Sequence, residues 1–115
     1  MRILLTTLLS TFLFSSIAWQ TDFDKAKVAA KTEHKYILIN FSGSDWCGPC
    51  IRMHKEIFEN ENFTQYAADH LVLVNADFPR LKKHALSKDQ QKKNDHLADV
   101  YNKEGVFPLT VIVSP

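Results

Sequence analysis

Two cysteines are present, and they stand three residues apart in Trp46-Cys47-Gly48-Pro49-Cys50. Thiols at this spacing suit reversible dithiol–disulfide exchange, provided the chain holds one as a thiolate and keeps the other within reach. Tyr36 to Phe41 reads as a buried strand, Ser42 to Asp45 as a turn, and the residues after the motif as a helix, so Cys47 is expected at the first helical position. A first helical turn has unpaired N–H groups and the positive end of the helix dipole, which favour a thiolate. Cys47 is therefore the expected nucleophile, the more accessible and more acidic thiol. One turn on, Cys50 lies on the same face and is more enclosed, placed to attack a mixed disulfide on Cys47 and release the product.

Other chemistries fit this pattern less well. A structural disulfide closing so short a loop removes little unfolded-state entropy. Zinc normally takes four ligands, and near the cysteines the sequence adds only His54, so no metal and no cofactor is expected.

The first residues bear on location. Met1-Arg2 is a short basic start, Ile3 to Ile17 is apolar with interspersed Ser and Thr, and Ser16-Ile17-Ala18 ends on small residues. That is the pattern of a secretory signal peptide over residues 1–18, cleaved after Ala18 to leave an exported protein, periplasmic or secreted. The competing reading, an uncleaved anchor, falls short of the roughly 20 consecutive apolar residues of a spanning helix. Loss of Arg2 brings the net charge of +1 to about zero. No nucleic-acid or membrane-surface partner is implied. Lys82-Lys83-His84 and Lys92-Lys93 read as solvated helix faces. In an oxidising compartment, one tight cysteine pair suggests chemistry rather than stapling.

Residues 19–115 suffice for one small domain. A capping-box pattern at Thr21 to Asp24, with Phe23, Ala26 and Ala30 at helical spacing, predicts a helix to about Glu33. The redox helix is expected from Cys47 to about Phe58, with His54 as a packed or solvated helix residue. Asn62 to Asp69 reads as a short helical turn, and Leu71 to Asp77 as a second strand. Ser87 to Gln90 is another capping box, opening a helix that ends near Gly105. Leu109 to Val113 is a third strand. This alternation makes an α/β fold with parallel pairing between the first two strands. Asn62-Phe63-Thr64 also fits a glycosylation acceptor.

From about Trp19 to Val113 the order of elements, the redox motif and Gly105-Val106-Phe107-Pro108 resemble the exported thioredoxin-like proteins of bacteria. The resemblance implies a three-layer sandwich, a central mixed sheet flanked by helices. It implies that Pro108 is the cis proline beside the dithiol and that Phe107 and Pro108 dock an extended substrate segment. Trp46 would shield the dithiol, and Gly48 and Pro49 would hold the start of the helix. An ordinary trans proline at a strand start is the other reading of Pro108.

Three departures stand out. Aligned on Phe41, Asn40 falls where thioredoxins carry a buried aspartate that assists proton transfer at the second cysteine, and an amide is no such base. Leu73 falls where they carry a lysine. The usual proton relay is therefore expected to be absent, leaving water or another group to serve. Thirdly, the family fold continues with an antiparallel strand and a C-terminal helix, whereas here the sequence stops at Ser114-Pro115. The 109–113 strand is then expected to form an open apolar edge, covered by chain beyond a fragment's end or by a partner through self-association.

The function expected is an exported thiol-disulfide oxidoreductase acting on protein disulfides and recharged by a separate reductant. Gly-Pro between the cysteines resembles the reducing members, with oxidase and isomerase roles open. The alternative is a peptide-binding or assembly module on the same scaffold, with little turnover.

Overall fold

The computed structural model describes residues 18–115. The signal-peptide pattern lies, apart from Ala18, outside the described residues. The elements run α1 (Phe23–Glu33), β1 (Tyr36–Ser42), α2 (Gly48–Met53), a π-turn (His54–Phe58), α3 (Glu61–His70), β2 (Leu71–Asp77), a 3₁₀ turn (Lys82–His84), α4 (Lys88–Tyr101) and β3 (Leu109–Val113).

The sheet has the order β2-β1-β3. β1 and β2 are parallel, with Tyr36 opposite Leu71 and Ser42 opposite Asp77. β3 runs antiparallel to β1, with Phe41 opposite Leu109 and Ile37 opposite Val113. Side chains alternate across a strand, so β1 serves two cores. Ile37, Ile39 and Phe41 join Val72, Val74 and Ala76 against Ala26 and Ala30 of α1 and Leu97 of α4. On the other face Leu38 and Leu73 pack with Phe58 and Ala67. The result is the mixed-sheet α/β sandwich, with α1 and α4 on one side and α2, the π-turn and α3 on the other.

Several local readings shift. The cap of α1 is Asp22, not Thr21, and it accepts from the Lys25 N–H at 3.1 Å. Ser87 does cap α4, accepting from Gln90 N–H, but the Gln90 amide reaches Thr21 O and Asn94 instead of closing a capping box. α4 stops at Tyr101, short of Gly105. There the Asn102 side chain donates to Val106 O and accepts from Val106 N–H, both at 2.9 Å, and so fixes the loop leading to Phe107.

Candidate active site

Cys47 is the N-cap of α2 rather than its first helical residue, with φ −97° and ψ 99°. A residue in that extended geometry can turn its side chain back over the helix end. The Cys47 Sγ does so, accepting from the Cys50 N–H at 3.2 Å where a cap usually offers oxygen. Gly48 and the N-terminal-turn residue Pro49 are exposed, and Pro49 sits where its missing N–H takes no helical bond away. Cys47 and Cys50 form a disulfide, with Cα atoms 5.2 Å apart. In this oxidised state both are buried to the same extent, at 4% exposure, so the expected contrast in accessibility is not present here.

The approach to the motif is tightly specified. Cys47 N–H donates to Gly43 O at 2.9 Å, and Gly43 N–H reaches Cys50 Sγ at 3.5 Å. A Cβ on Gly43 would overlap the Trp46 indole, so the close approach requires glycine. Trp46 donates from Nε1 to Phe78 O at 2.7 Å, stacks under the Arg80 guanidinium at 3.6 Å and meets Phe107 edge-on at 5.5 Å. Phe107 also packs on Phe78, and the Phe107-Pro108 peptide is cis. Trp46, Phe78 and Phe107, far apart in sequence, thus form one aromatic cluster next to the motif's tryptophan.

Two carboxylates tie this loop down. Asp77 accepts from Ser44 N–H at 3.0 Å and from its hydroxyl at 2.6 Å. Asp45 accepts from Arg80 N–H at 2.9 Å, from Leu81 N–H at 3.0 Å and meets His84 Nδ1 at 3.1 Å. Those backbone donors, Arg80 first, hold the Asp45 carboxyl below the usual carboxylate range, against the opposing effect of its burial.

Behind Cys50 the sheet presents a polar row. Asn40, 6% exposed, donates through Nδ2 to Asn75 Oδ1 at 3.4 Å and accepts from Thr110 Oγ1 at 3.3 Å. A cavity of about 360 Å³ opens there, lined by Cys50, Asn40, Asn75, Ser42, His54 and Glu59 among others. Leu73 is apolar and buried beside Leu38. Asn75, Thr110, Arg80 and Asp45 were not singled out from the sequence. Asn75 had a signal, a single amide in an apolar strand matching Asn40 in the other; the rest depend on contacts between distant segments.

Among the described residues no helix is long and apolar enough to cross a membrane, and no group of three or more Cys, His or acidic side chains is placed to hold a metal.

Comparison with known proteins agrees with this architecture. The chain is 34% identical over 99 residues to the disulfide bond reductase DsbH of Chlamydia pneumoniae, covering 86% of this chain and 57% of that protein. It is 35% identical over 63 residues to the thioredoxin-related protein DsbJ of the same organism, covering 55% of this chain and 18% of that one. It therefore spans little more than half of the first relative's length. Among solved structures it superposes on a DsbH oxidoreductase with a TM-score of 0.75 at 35% identity, covering 85% of this chain and 65% of that one. A disulphide isomerase from Xylella fastidiosa Temecula1 gives 0.60 at 26% identity, with coverage of 80% and 63%. The family model described as thioredoxin-like matches residues 18–115. On that match, which spans all the described residues, the chain belongs to the thioredoxin-like family.

Proposed function

We propose that the protein is an exported thiol-disulfide oxidoreductase that reduces protein disulfides through Cys47 and Cys50. The observation that carries this reading is the capping of α2 by Cys47 Sγ. In the reduced protein the Cys50 N–H and the start of the helix would favour negative charge on that sulfur. The Cys47 thiolate attacks one sulfur of a substrate disulfide, and the other sulfur leaves as a thiolate. Cys50 then attacks Cys47 Sγ, the substrate sulfur bonded there departs with its electron pair, and the Cys47–Cys50 disulfide remains. Two electrons from a separate dithiol reductant restore the pair.

Trp46 and Phe107 supply an aromatic surface beside the disulfide, where a substrate segment can lie against Phe107 and Pro108. Gly48 and Pro49 shape the exposed turn between the sulfurs. The reducing direction is supported by the name of the similar DsbH protein, a disulfide bond reductase, and export by the signal pattern of residues 1–18. Insulin reduction with dithiothreitol tests the reading. The protein should speed precipitation of the insulin B chain, and Cys47→Ser should fall to the rate of dithiothreitol alone. Equal rates from the two proteins would remove the enzyme reading and leave a peptide-binding role.

A further inference from the structure

Resolution by Cys50 needs somewhere for its proton to go. Asn40 cannot take it: an amide is not a base at neutral pH, and both ends of its side chain are engaged, with Asn75 and Thr110. Yet Cys50 lines a cavity of about 360 Å³, well above the roughly 30 Å³ that one water occupies in the liquid. The charged or titratable groups lining that cavity besides Cys50 are His54, Lys55 and Glu59. From the packed elements it is faced by neutral groups, Asn40 and Ser42 of β1, Asn75 of β2, Ser44 and Trp19.

The helix changes type at the residue where this matters. His54 follows Cys50 by four positions in α-helical register, its N–H bonding Cys50 O, so the two share a face. Glu59 follows His54 by five, which in an α-helix would place it roughly 140° away. The π-turn removes that offset. Glu59 N–H donates to His54 O at 3.0 Å, and Glu59 Oε1 lies 3.3 Å from His54 Nε2. One α-turn and one π-turn thereby bring Cys50, His54 and Glu59 to the lining of a single cavity.

On the exchange reaction proposed above, we propose that His54, oriented by Glu59, is the proton acceptor for Cys50. The Cys50 thiol passes its proton through cavity water to the imidazole. The resulting thiolate attacks Cys47 Sγ, the Cys47–substrate S–S bond breaks, and the substrate sulfur leaves with the electron pair. Glu59 stabilises the imidazolium until solvent takes the proton. When the reductant reopens the disulfide the path runs backwards and Cys50 is reprotonated. Imidazole suits the task because its charge changes between about pH 5 and 8.

Reaction of the reduced protein with dithiobis(nitrobenzoate), followed by stopped flow from pH 5 to 9, separates the steps. The first thionitrobenzoate reports attack by Cys47, the second reports resolution by Cys50. His54→Gln should lower the ratio of the second rate to the first by about tenfold or more at pH 7. It should also abolish the inflection of that ratio between pH 5 and 8. Glu59→Gln should give a smaller loss of that ratio. Glu56→Gln, exposed on the same turn but outside the cavity lining, should change neither. A His54→Gln protein with the wild-type ratio and inflection would overturn the assignment. Release of only one equivalent by the wild type would instead overturn the two-cysteine exchange on which it rests.

Discussion

Asn40 is the residue at which this chain departs most sharply from the thioredoxins it resembles, and its surroundings say what a carboxylate would meet there. Thr110 Oγ1 already donates toward it and the Asn75 amide can turn to do the same, so Asn40→Asp would be hydrogen-bonded although buried. It should speed resolution at neutral pH by giving Cys50 a second proton acceptor, and should rescue His54→Gln in part. Burial raises the carboxyl's folded pKa above its unfolded value, so the variant should match the parent's stability below about pH 4. Its stability should then fall as pH rises through the folded pKa, by about 1–3 kcal/mol at neutrality. Urea melts at pH 4 and pH 7 check the sign; an unchanged resolving rate in a folded variant would show that Cys50 gains nothing from a carboxylate there. Gly43 makes a second case. Because a Cβ would overlap Trp46, Gly43→Ala should displace the indole from Arg80 and Phe107, lower stability by about 1–3 kcal/mol and change the tryptophan fluorescence. Wild-type fluorescence and melting would mean that the loop has slack the geometry denies.

The loop after β2 belongs to the site as much as the motif does. Asp45 fastens Arg80 and Leu81 and thereby the guanidinium over Trp46. Its folded carboxyl titrates below the usual value of about 3.9, so the stabilisation is present above that pH and is lost as pH falls through the depressed folded value. A wild-type acid titration should therefore show a tryptophan fluorescence change below about pH 4 that Asp45→Asn lacks, the variant resembling the acid form already at pH 7. Identical titrations would detach Asp45 from the indole. How far such elements could be read in the sequence follows the range of their interactions. α1, β2 and β3 were legible nearly residue for residue, since alternation, helical spacing and turn residues act locally. The Cys-x-x-Cys turn was legible too, one position out, because a sulfur can cap a helix as an oxygen does. The π-turn was not. His54-Lys55-Glu56-Ile57-Phe58 has nothing locally unlike an α-helix, and the wider turn accompanies burial of Phe58 against Trp19 at 5.0 Å and Phe63 at 5.2 Å. The Asp45 and Asp77 clasps span more than thirty residues and leave no periodicity to read.

For the molecule as a whole, the two margins of the sheet differ. Beyond β2, Gln20 adds a parallel bridge, its N–H donating to Leu73 O and its carbonyl accepting from Asn75 N–H. Beyond β3 no further strand pairs among the described residues, and Ile112 is 61% exposed on the face shared with α2 and α3. Residues 19–115 made alone should therefore self-associate through β3, and Ile112→Lys should shift them toward monomer, as a charge on an edge strand opposes pairing. Sedimentation velocity decides it; a monodisperse wild-type monomer at high concentration would show that the margin is not adhesive. In directional exchange Cys47 bonds the substrate and Cys50 releases it, and trapping distinguishes the two roles. Reduced Cys50→Ser and Cys47→Ser proteins would each be mixed with a disulfide-bonded protein, the free thiols alkylated, and the adducts mapped by mass spectrometry. Directional exchange predicts covalent substrate on Cys47 of the Cys50→Ser protein and little or none on Cys50 of the Cys47→Ser protein. Equal trapping by both, or by neither, would contradict it.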